Sequence, residues 1–258
     1  MKEEKLAMML KHALVREPGA QYAQCISSHP WHHTVNVARA RDQHAAYTHT
    51  LAELGLEIIR LPRDDQHPDA CFIEDTAVIY EGKALLSRLA KKSRRGEEDS
   101  VAEVLREHLP VHRIRAPGTL EGGDVIQLPH RIISGISQRT NQAGITQMQS
   151  YFRVPIDTIV DPHLIHLKSH VTYLNNNIML TTPIYADHPI LSDFKVLVVP
   201  DNEHYAANTL TFDDTVLMPA GYPKTYQMVE QSGFTVICLN MSEIAKCDGA
   251  LTCLSLLF

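Results

Sequence analysis

Long apolar runs are missing from this 258-residue sequence: none reaches the roughly 18 residues that a membrane span needs. Basic runs are equally short. The longest is Lys91-Lys92 followed by Arg94-Arg95, and 24 Lys and Arg against 30 Asp and Glu leave a formal charge of -6, so nucleic acid is not an expected partner. The charged stretch Met1 to Lys11 carries no signal-type cleavage pattern, which points to a soluble cytoplasmic protein. Cysteine is sparse and odd in number. Cys25, Cys71, Cys238, Cys247 and Cys253 form no C-x-x-C pair, so neither a disulfide framework nor a structural zinc site is expected. At least one of these thiols is then available to react. Low-complexity linkers are absent too, with Pro and Gly scattered as turn punctuation, and one domain over residues 1–258 is the simplest organisation. What remains, 44% hydrophobic and 21% charged residues, is ordinary globular composition and excludes disorder or a collagen-like chain.

Apolar periodicity supplies the elements. Val37, Ala40, His44, Tyr47, Leu51 and Leu54 recur three or four apart and predict a helix over Asn36 to Leu54, stopped by Gly55. Leu56 to Leu61 reads as a buried strand. Ala77 to Tyr80 and Lys83 to Leu86 flank Glu81-Gly82 as a hairpin, and Glu97 to Leu109 follows as a helix. The order repeats with a hairpin around Pro129-His130, a helix over Asn141 to Phe152 and a strand at Ile156 to Val160. Further hairpins are expected at Asn175-Asn176-Asn177 and Asp213-Asp214. Their centres lie about 38 to 48 residues apart, the range of repeat architectures. The unit is strand, strand, helix, strand. Four such units, with the chain ends supplying a fifth or closing the ring, suggest an α/β arrangement around a pseudo-symmetry axis, although an open sheet with helices on it has the same pattern.

Polar residues precede each hairpin: Glu74-Asp75, Glu121-Gly122-Gly123-Asp124, His166 and Asn208. In a radial arrangement these positions converge, and Cys253, held in the last strand-like run, joins them. Two acids ahead of an apolar run must face solvent or be held by a cation, because an unpaired buried carboxylate is costly. A guanidinium fits paired carboxylates bidentately, so acids on the axis select an arginine-like head group. The adjacent glycines would let the backbone pass close to a ligand. In Ile165-His166-Leu167-Lys168-Ser169 the alternation reads as a strand that points His166 away from Ile165 and Leu167. His29, His32 and His33 are the alternative metal candidates, but they lack H-x-x-x-H spacing and read as a helix-entry segment.

The chain from about Leu14 to Leu257 resembles the dimethylarginine dimethylaminohydrolases of the guanidino-group modifying superfamily. The carriers are Pro68-Asp69-Ala70-Cys71-Phe72-Ile73-Glu74-Asp75, Ala84-Leu85-Leu86-Ser87-Arg88, Leu120-Glu121-Gly122-Gly123-Asp124-Val125, Ser137-Gln138-Arg139-Thr140-Asn141, His166-Leu167-Lys168-Ser169 and Asp248-Gly249-Ala250-Leu251-Thr252-Cys253. The resemblance implies the pentein fold, a five-bladed α/β propeller of ββαβ units around a pseudo-fivefold axis. It implies Cys253 as nucleophile, His166 as general acid and base, and Glu121 as the carboxylate that binds the guanidinium and assists His166. Glu74 and Asp75 would bind guanidino nitrogens, Arg88 and Arg139 the α-carboxylate, and Asp69 the α-amino group. Phe72 would pack beside the substrate side chain, with Asp248 and the backbone at Cys247 as further contacts.

A guanidinium carbon is a poor electrophile because three nitrogens share its charge, so the chemistry calls for a thiolate rather than water and needs no metal or organic cofactor. Deiminase-type relatives place an Asp two residues after the histidine, where this chain has Lys168, and they carry insertions that 258 residues do not accommodate. Methylated arginine, cleaved to citrulline and an alkylamine, is therefore the first expected substrate. Arginine, citrulline or another guanidino or ureido amino acid is the enzymatic alternative, since Gly19 to His33, the expected lid, departs from the family pattern. A non-catalytic arginine-binding protein is the other, and the retained Cys253, His166 and Glu121 argue against it. The expected partner is a small guanidino amino acid, with a homodimer compatible with the sequence and no membrane or nucleic acid.

Overall fold

Five short antiparallel strand pairs, each extended by one parallel strand, make up the architecture of the computed structural model, which describes residues 10–258. The first nine residues of the charged N-terminal stretch lie outside the described residues. β1 (His12–Arg16) leads through α1 (Val37–Glu53) to β2 (Glu57–Leu61), which pairs with it in parallel. The Asn36 side chain caps α1 by accepting from the Arg39 amide at 3.0 Å. The helix ends at Gly55, whose φ of +92° is open to glycine at little cost. Ala40, Tyr47 and Leu51, in the predicted stripe, face the core and are fully buried.

β3 (Ala77–Tyr80) and β4 (Lys83–Leu86) form the first hairpin, with positive φ at both Glu81 and Gly82, followed by α2 (Glu97–His108) and β5 (Val111–Arg113). β6 (Val125–Gln127), β7 (Ile132–Ile136), α3 (Gln142–Phe152) and β8 (Ile156–Val160) repeat the order, with Asn141 capping α3. β9 (Val171–Tyr173), β10 (Ile178–Thr181) and β11 (Lys195–Val198) form the next sheet without an α-helix between the last two strands. Two short 3-10 turns, opened by Pro183 and Pro189, stand in its place. Two prolines six residues apart leave no room for a continuous helix. β12 (Leu210–Phe212), β13 (Thr215–Pro219), α4 (Pro223–Gln231) and β14 (Thr235–Leu239) complete the fourth complete repeat. After α5 (Ser242–Ala245), β15 (Ser255–Leu257) pairs antiparallel with β1, so a fifth sheet is built from both ends of the sequence.

Packing runs between units rather than within them. Val78 and Leu85 of one hairpin share a buried cluster with Val125 and Ile132 of the next and with Ile145 and Phe152 of α3. Each unit therefore completes its neighbour's core, as expected of repeats that cannot bury their apolar faces alone.

A 3-10 turn precedes the first strand of every sheet: Ile73–Thr76, Gly122–Asp124, Leu167–Ser169, Asp201–Ala207 and Thr252–Leu254. These five turns carry or adjoin the polar residues singled out in the sequence. His166 is a correction in detail. It lies just before its turn with extended φ and ψ (−136°, 136°) rather than within a strand, leaving Ile165 exposed while Leu167 is fully buried.

Candidate active site

Glycine makes the convergence of the turns sterically feasible. A Cβ on Gly122 would collide with the carbonyl oxygen of Glu74, and one on Gly123 would sit 2.7 Å from the His166 ring and 3.0 Å from Asp75 Oδ1. The sequence reading had these glycines admit a ligand; the structure uses them to bring neighbouring turns together.

His166 Nε2 lies 2.8 Å from Glu121 Oε2 and 3.5 Å from Asp75 Oδ1. Burial alone would push the imidazole toward its neutral form, but Asp75, then the Glu121 hydrogen bond and the charge of Asp124, lift its pKa to about 9. Burial likewise opposes ionisation of Asp75, yet His166 and Arg94 hold its carboxyl below the usual range. Glu121, whose Oε1 accepts from the Ala90 amide at 3.0 Å, is held low in the same way by His166. The imidazole is thus a cation at neutral pH between two carboxylates.

Arg94 went unrecognised in the sequence, where it reads as half of a surface basic pair. It is 5% exposed, donates from Nη1 to Asp75 Oδ2 at 2.8 Å and from Nε and Nη2 to Glu97, and reaches the carbonyl oxygens of Phe72 and Asp69 at 3.4 and 3.5 Å. One buried guanidinium thereby organises the 69–75 segment. The signal available in the sequence was Glu97, an acid three residues on.

Lys168 and Glu74 form the second pair, with Nζ to Oε1 at 2.7 Å, while Glu74 Oε2 accepts from Thr252 Oγ1 at 2.8 Å. Glu74 was expected on the guanidino nitrogens beside Asp75. Its charge is matched by Lys168, and it reaches the turn that holds Cys253 through Thr252. Asn208 ties the same turn to Lys168 by donating to Thr252 Oγ1 and to the Lys168 carbonyl oxygen, both at 3.0 Å. Burial, with Glu74 and Asp75 nearby, pushes the Cys253 thiol well above its ordinary pKa, and Lys168 offsets part of this. Cys253 is therefore held as a protonated thiol facing acids.

The two arginines expected at the α-carboxylate differ in their surroundings. Arg88 is half-buried and donates to the Gly118 carbonyl oxygen at 3.3 Å. Arg139 is 8% exposed, yet its Nε and Nη1 have no hydrogen-bond partner among the described residues. Buried donors of this kind ask for an anionic ligand.

Residues 19–33 fold over these groups. The Ile26 amide donates to both Asp69 oxygens, at 3.1 and 3.3 Å, Ser27 Oγ donates to the Lys246 carbonyl oxygen at 2.9 Å, and the Ser28 amide donates to Asp248 Oδ2 at 2.7 Å. Asp248 reaches Ser28 from a left-handed backbone (φ +53°), and Gly249 next to it leaves room for the Phe72 ring, which a Cβ there would strike. The expectation of no disulfide is overturned, because Cys25 is bonded to Cys247. These residues are 222 apart in sequence, so only the folded ring shows that they meet. Denatured without reductant, the chain should titrate three thiols, Cys71, Cys238 and Cys253, and five after reduction; five from the outset would remove this tether. A cavity of about 450 Å³ opens beside His166, walled by Ser28, Ile165, Asn208, Tyr222 and Asp248.

Asp75, Glu121 and His166 are the set among the described residues spaced to hold a metal ion, with ligand atoms within 4.8 Å of one another. His29, His32 and His33 form no such set; His32 and His33 occupy a short 3-10 turn ahead of α1, in keeping with a helix-entry role. No helix among the described residues is long and apolar enough to cross a membrane.

Five ββαβ-type units whose leading turns bring a cysteine, a histidine and several acids together define a pentein. Solved structures agree. One of a cysteine-to-serine mutant of a Pseudomonas aeruginosa dimethylarginine dimethylaminohydrolase, complexed with citrulline, is 33% identical with a TM-score of 0.94, covering 97% of this chain and 100% of that one. The N-terminal domain of ArgZ, an arginine dihydrolase from cyanobacteria, has a TM-score of 0.87 at 20% identity and shares the fold, covering 95% of this chain and 96% of that one. The family model described as eukaryotic N,N-dimethylarginine dimethylhydrolase matches residues 20–186. Curated relatives named N(G),N(G)-dimethylarginine dimethylaminohydrolase are 34% identical in Pseudomonas aeruginosa, over 97% of this chain and all of the relative, and 33% identical in Streptomyces coelicolor, over 96% and 97%. The chain belongs to the dimethylarginine dimethylaminohydrolase family.

Proposed function

We propose that the protein hydrolyses Nω-methylated arginine to citrulline and an alkylamine, with Cys253 as nucleophile. The observation that carries this reading is the charge pattern of the site: a thiol held in its protonated form by buried acids, beside a histidine with a pKa of about 9. A bound guanidinium supplies the missing cation. It offsets the repulsion of Glu74 and Asp75 and favours the Cys253 thiolate, so substrate activates its own nucleophile.

Asp75 and Glu121 orient the guanidinium carbon toward sulfur. The thiolate attacks that carbon, the bond to the methylated nitrogen breaks, and His166 gives the departing amine its proton. This leaves an S-alkylthiouronium on Cys253 and a neutral His166. The imidazole then takes a proton from water, whose oxygen attacks the same carbon; the C–S bond breaks as the new hydroxyl proton passes to sulfur, releasing citrulline and restoring the Cys253 thiol, whose first proton had left to solvent when the guanidinium bound. Asp69 faces the α-amino group, Arg88 and Arg139 take the α-carboxylate, Phe72 packs along the methylenes, and Asp248 with the Cys247 backbone closes the lid side. Lys168 marks the methylated substrate. By matching Glu74 it leaves one side of the head group poorer in acceptors, which suits a nitrogen without hydrogens.

Product analysis tests this. Supplied with arginine, monomethylarginine, asymmetric dimethylarginine and citrulline, the protein should release methylamine or dimethylamine with citrulline and prefer the methylated compounds. Ammonia from arginine or citrulline as the main product would overturn the substrate assignment and transfer it to the lid segment Cys25 to His33.

A further inference from the structure

Asp124, the last residue of Glu121-Gly122-Gly123-Asp124, takes no part in the steps above. It is fully buried. Its Oδ1 accepts from the Leu167 amide at 3.0 Å, the residue that follows His166. Its Oδ2 accepts from Ser137 Oγ at 2.7 Å, and the same Ser137 oxygen accepts the amides of Arg139 at 2.9 Å and Thr140 at 3.2 Å. Thr140, tied to that Ser137 oxygen by its amide, accepts the Glu121 amide on its side-chain oxygen at 3.1 Å. One carboxylate thus holds the backbone beside the histidine, the loop that presents Arg139 and, through Thr140, the backbone of Glu121.

We propose that Asp124 is a positioning residue that couples seating of the substrate α-carboxylate on Arg139 to placement of His166. The inference rests on the roles proposed above for those two residues. Every partner of Asp124 is a donor and none is a cation, so its value lies in geometry: Ser137 and Leu167 compete for no common lone pair, and moving one end displaces the other. Gly135 keeps the space for it, since a Cβ there would lie 2.7 Å from Asp124 Oδ1. Burial lifts the Asp124 pKa to about 6, leaving it ionised above neutrality, where its charge adds to that of Asp75 and Glu121 on His166. Besides His166, the titratable group within reach of the Asp124 charge is Tyr185, whose hydroxyl donates to Asp161 at 2.7 Å.

The test compares Ser137→Ala and Asp124→Asn for KM, kcat and the pH profile on whichever guanidino amino acid the parent enzyme turns over. Ser137→Ala cuts the arm to the Arg139–Thr140 loop and leaves the bond to the Leu167 amide in place, so KM should rise about fivefold or more with the alkaline limb of the profile unmoved. Asp124→Asn cuts both arms. KM should rise, kcat should fall about tenfold or more, and the alkaline limb should move to lower pH because His166 loses one of three facing acids. Should Asp124→Asn not fold, Gly135→Ala, which pushes the carboxylate aside, should reproduce the acidward shift. Ser137→Ala with KM within about twofold of the parent refutes the carboxylate arm, and a folded Asp124→Asn or Gly135→Ala with kcat and limb in place refutes the histidine arm. A parent that acts on arginine instead of its methylated forms overturns the substrate assignment and leaves this comparison intact.

Discussion

Replacing Cys253 with serine should lower kcat by about 10⁴-fold or more while leaving the Kd for dimethylarginine within a few-fold of the parent. A serine hydroxyl at this position meets the same acids that hold the thiol protonated, and neither Lys168 nor His166 brings an alcohol within reach of ionisation at neutral pH. The guanidinium contacts proposed for Asp75 and Glu121 are left in place by the substitution. Calorimetric titration and amine release measured on the same preparation check both halves. Turnover at more than about 1% of the parent rate would remove Cys253 from the chemistry, whereas loss of binding would place its sulfur in substrate recognition.

The second large effect concerns Arg94. Arg94→Met leaves Asp75 and Glu97 buried without their shared cation, a lesion that costs about 3–5 kcal/mol. For a chain of this size that corresponds to a Tm lower by roughly 6 to 20 °C. The pH dependence fixes the cause. In the parent, Asp75 has a depressed folded pKa, so its contribution is present above its unfolded pKa and is lost as pH falls through the folded value. In the variant, burial raises both carboxyls, and protonation relieves the unpaired charge. The Tm gap between variant and parent should therefore narrow toward acid pH, and Arg94→Lys should recover part of it. A gap below about 2 °C at neutral pH, or one that widens on acidification, would show that Arg94 does not hold these acids.

The hairpins at Glu81-Gly82, Asn175 to Asn177 and Asp213-Asp214 were legible because turn residues with positive φ announce themselves locally, and α1 because its apolar stripe and Asn36 cap are local as well. The spacing of those hairpins carried the ring. What local pattern could not convey was adjacency across units. Arg94 and Asp75 are 19 residues apart, Lys168 and Glu74 are 94 apart, and Cys25 and Cys247 are 222 apart. Each pair meets only once the five turns have converged, so the sequence exposed the acids and not the cations that match them. The helix missing before β11 is a smaller case of the same kind: the regularity of the other units suggested it, and Pro183 and Pro189 forbade it.

The pairing of β1 with β15 also sets a schedule for synthesis. Val15 lies opposite Ser255, 240 positions further along, so the contact closes only once nearly the whole chain has been made. Pairings of such high sequence separation form late, because loop closure must come before the contact rewards it. Asp75, Glu121 and His166 leave the ribosome well before the cysteine does, and Cys253 stands two residues ahead of the strand that docks on β1. A partly made chain thus carries the acids and imidazole without the proposed nucleophile, and Cys253 arrives in the turn that leads into the strand sealing the ring.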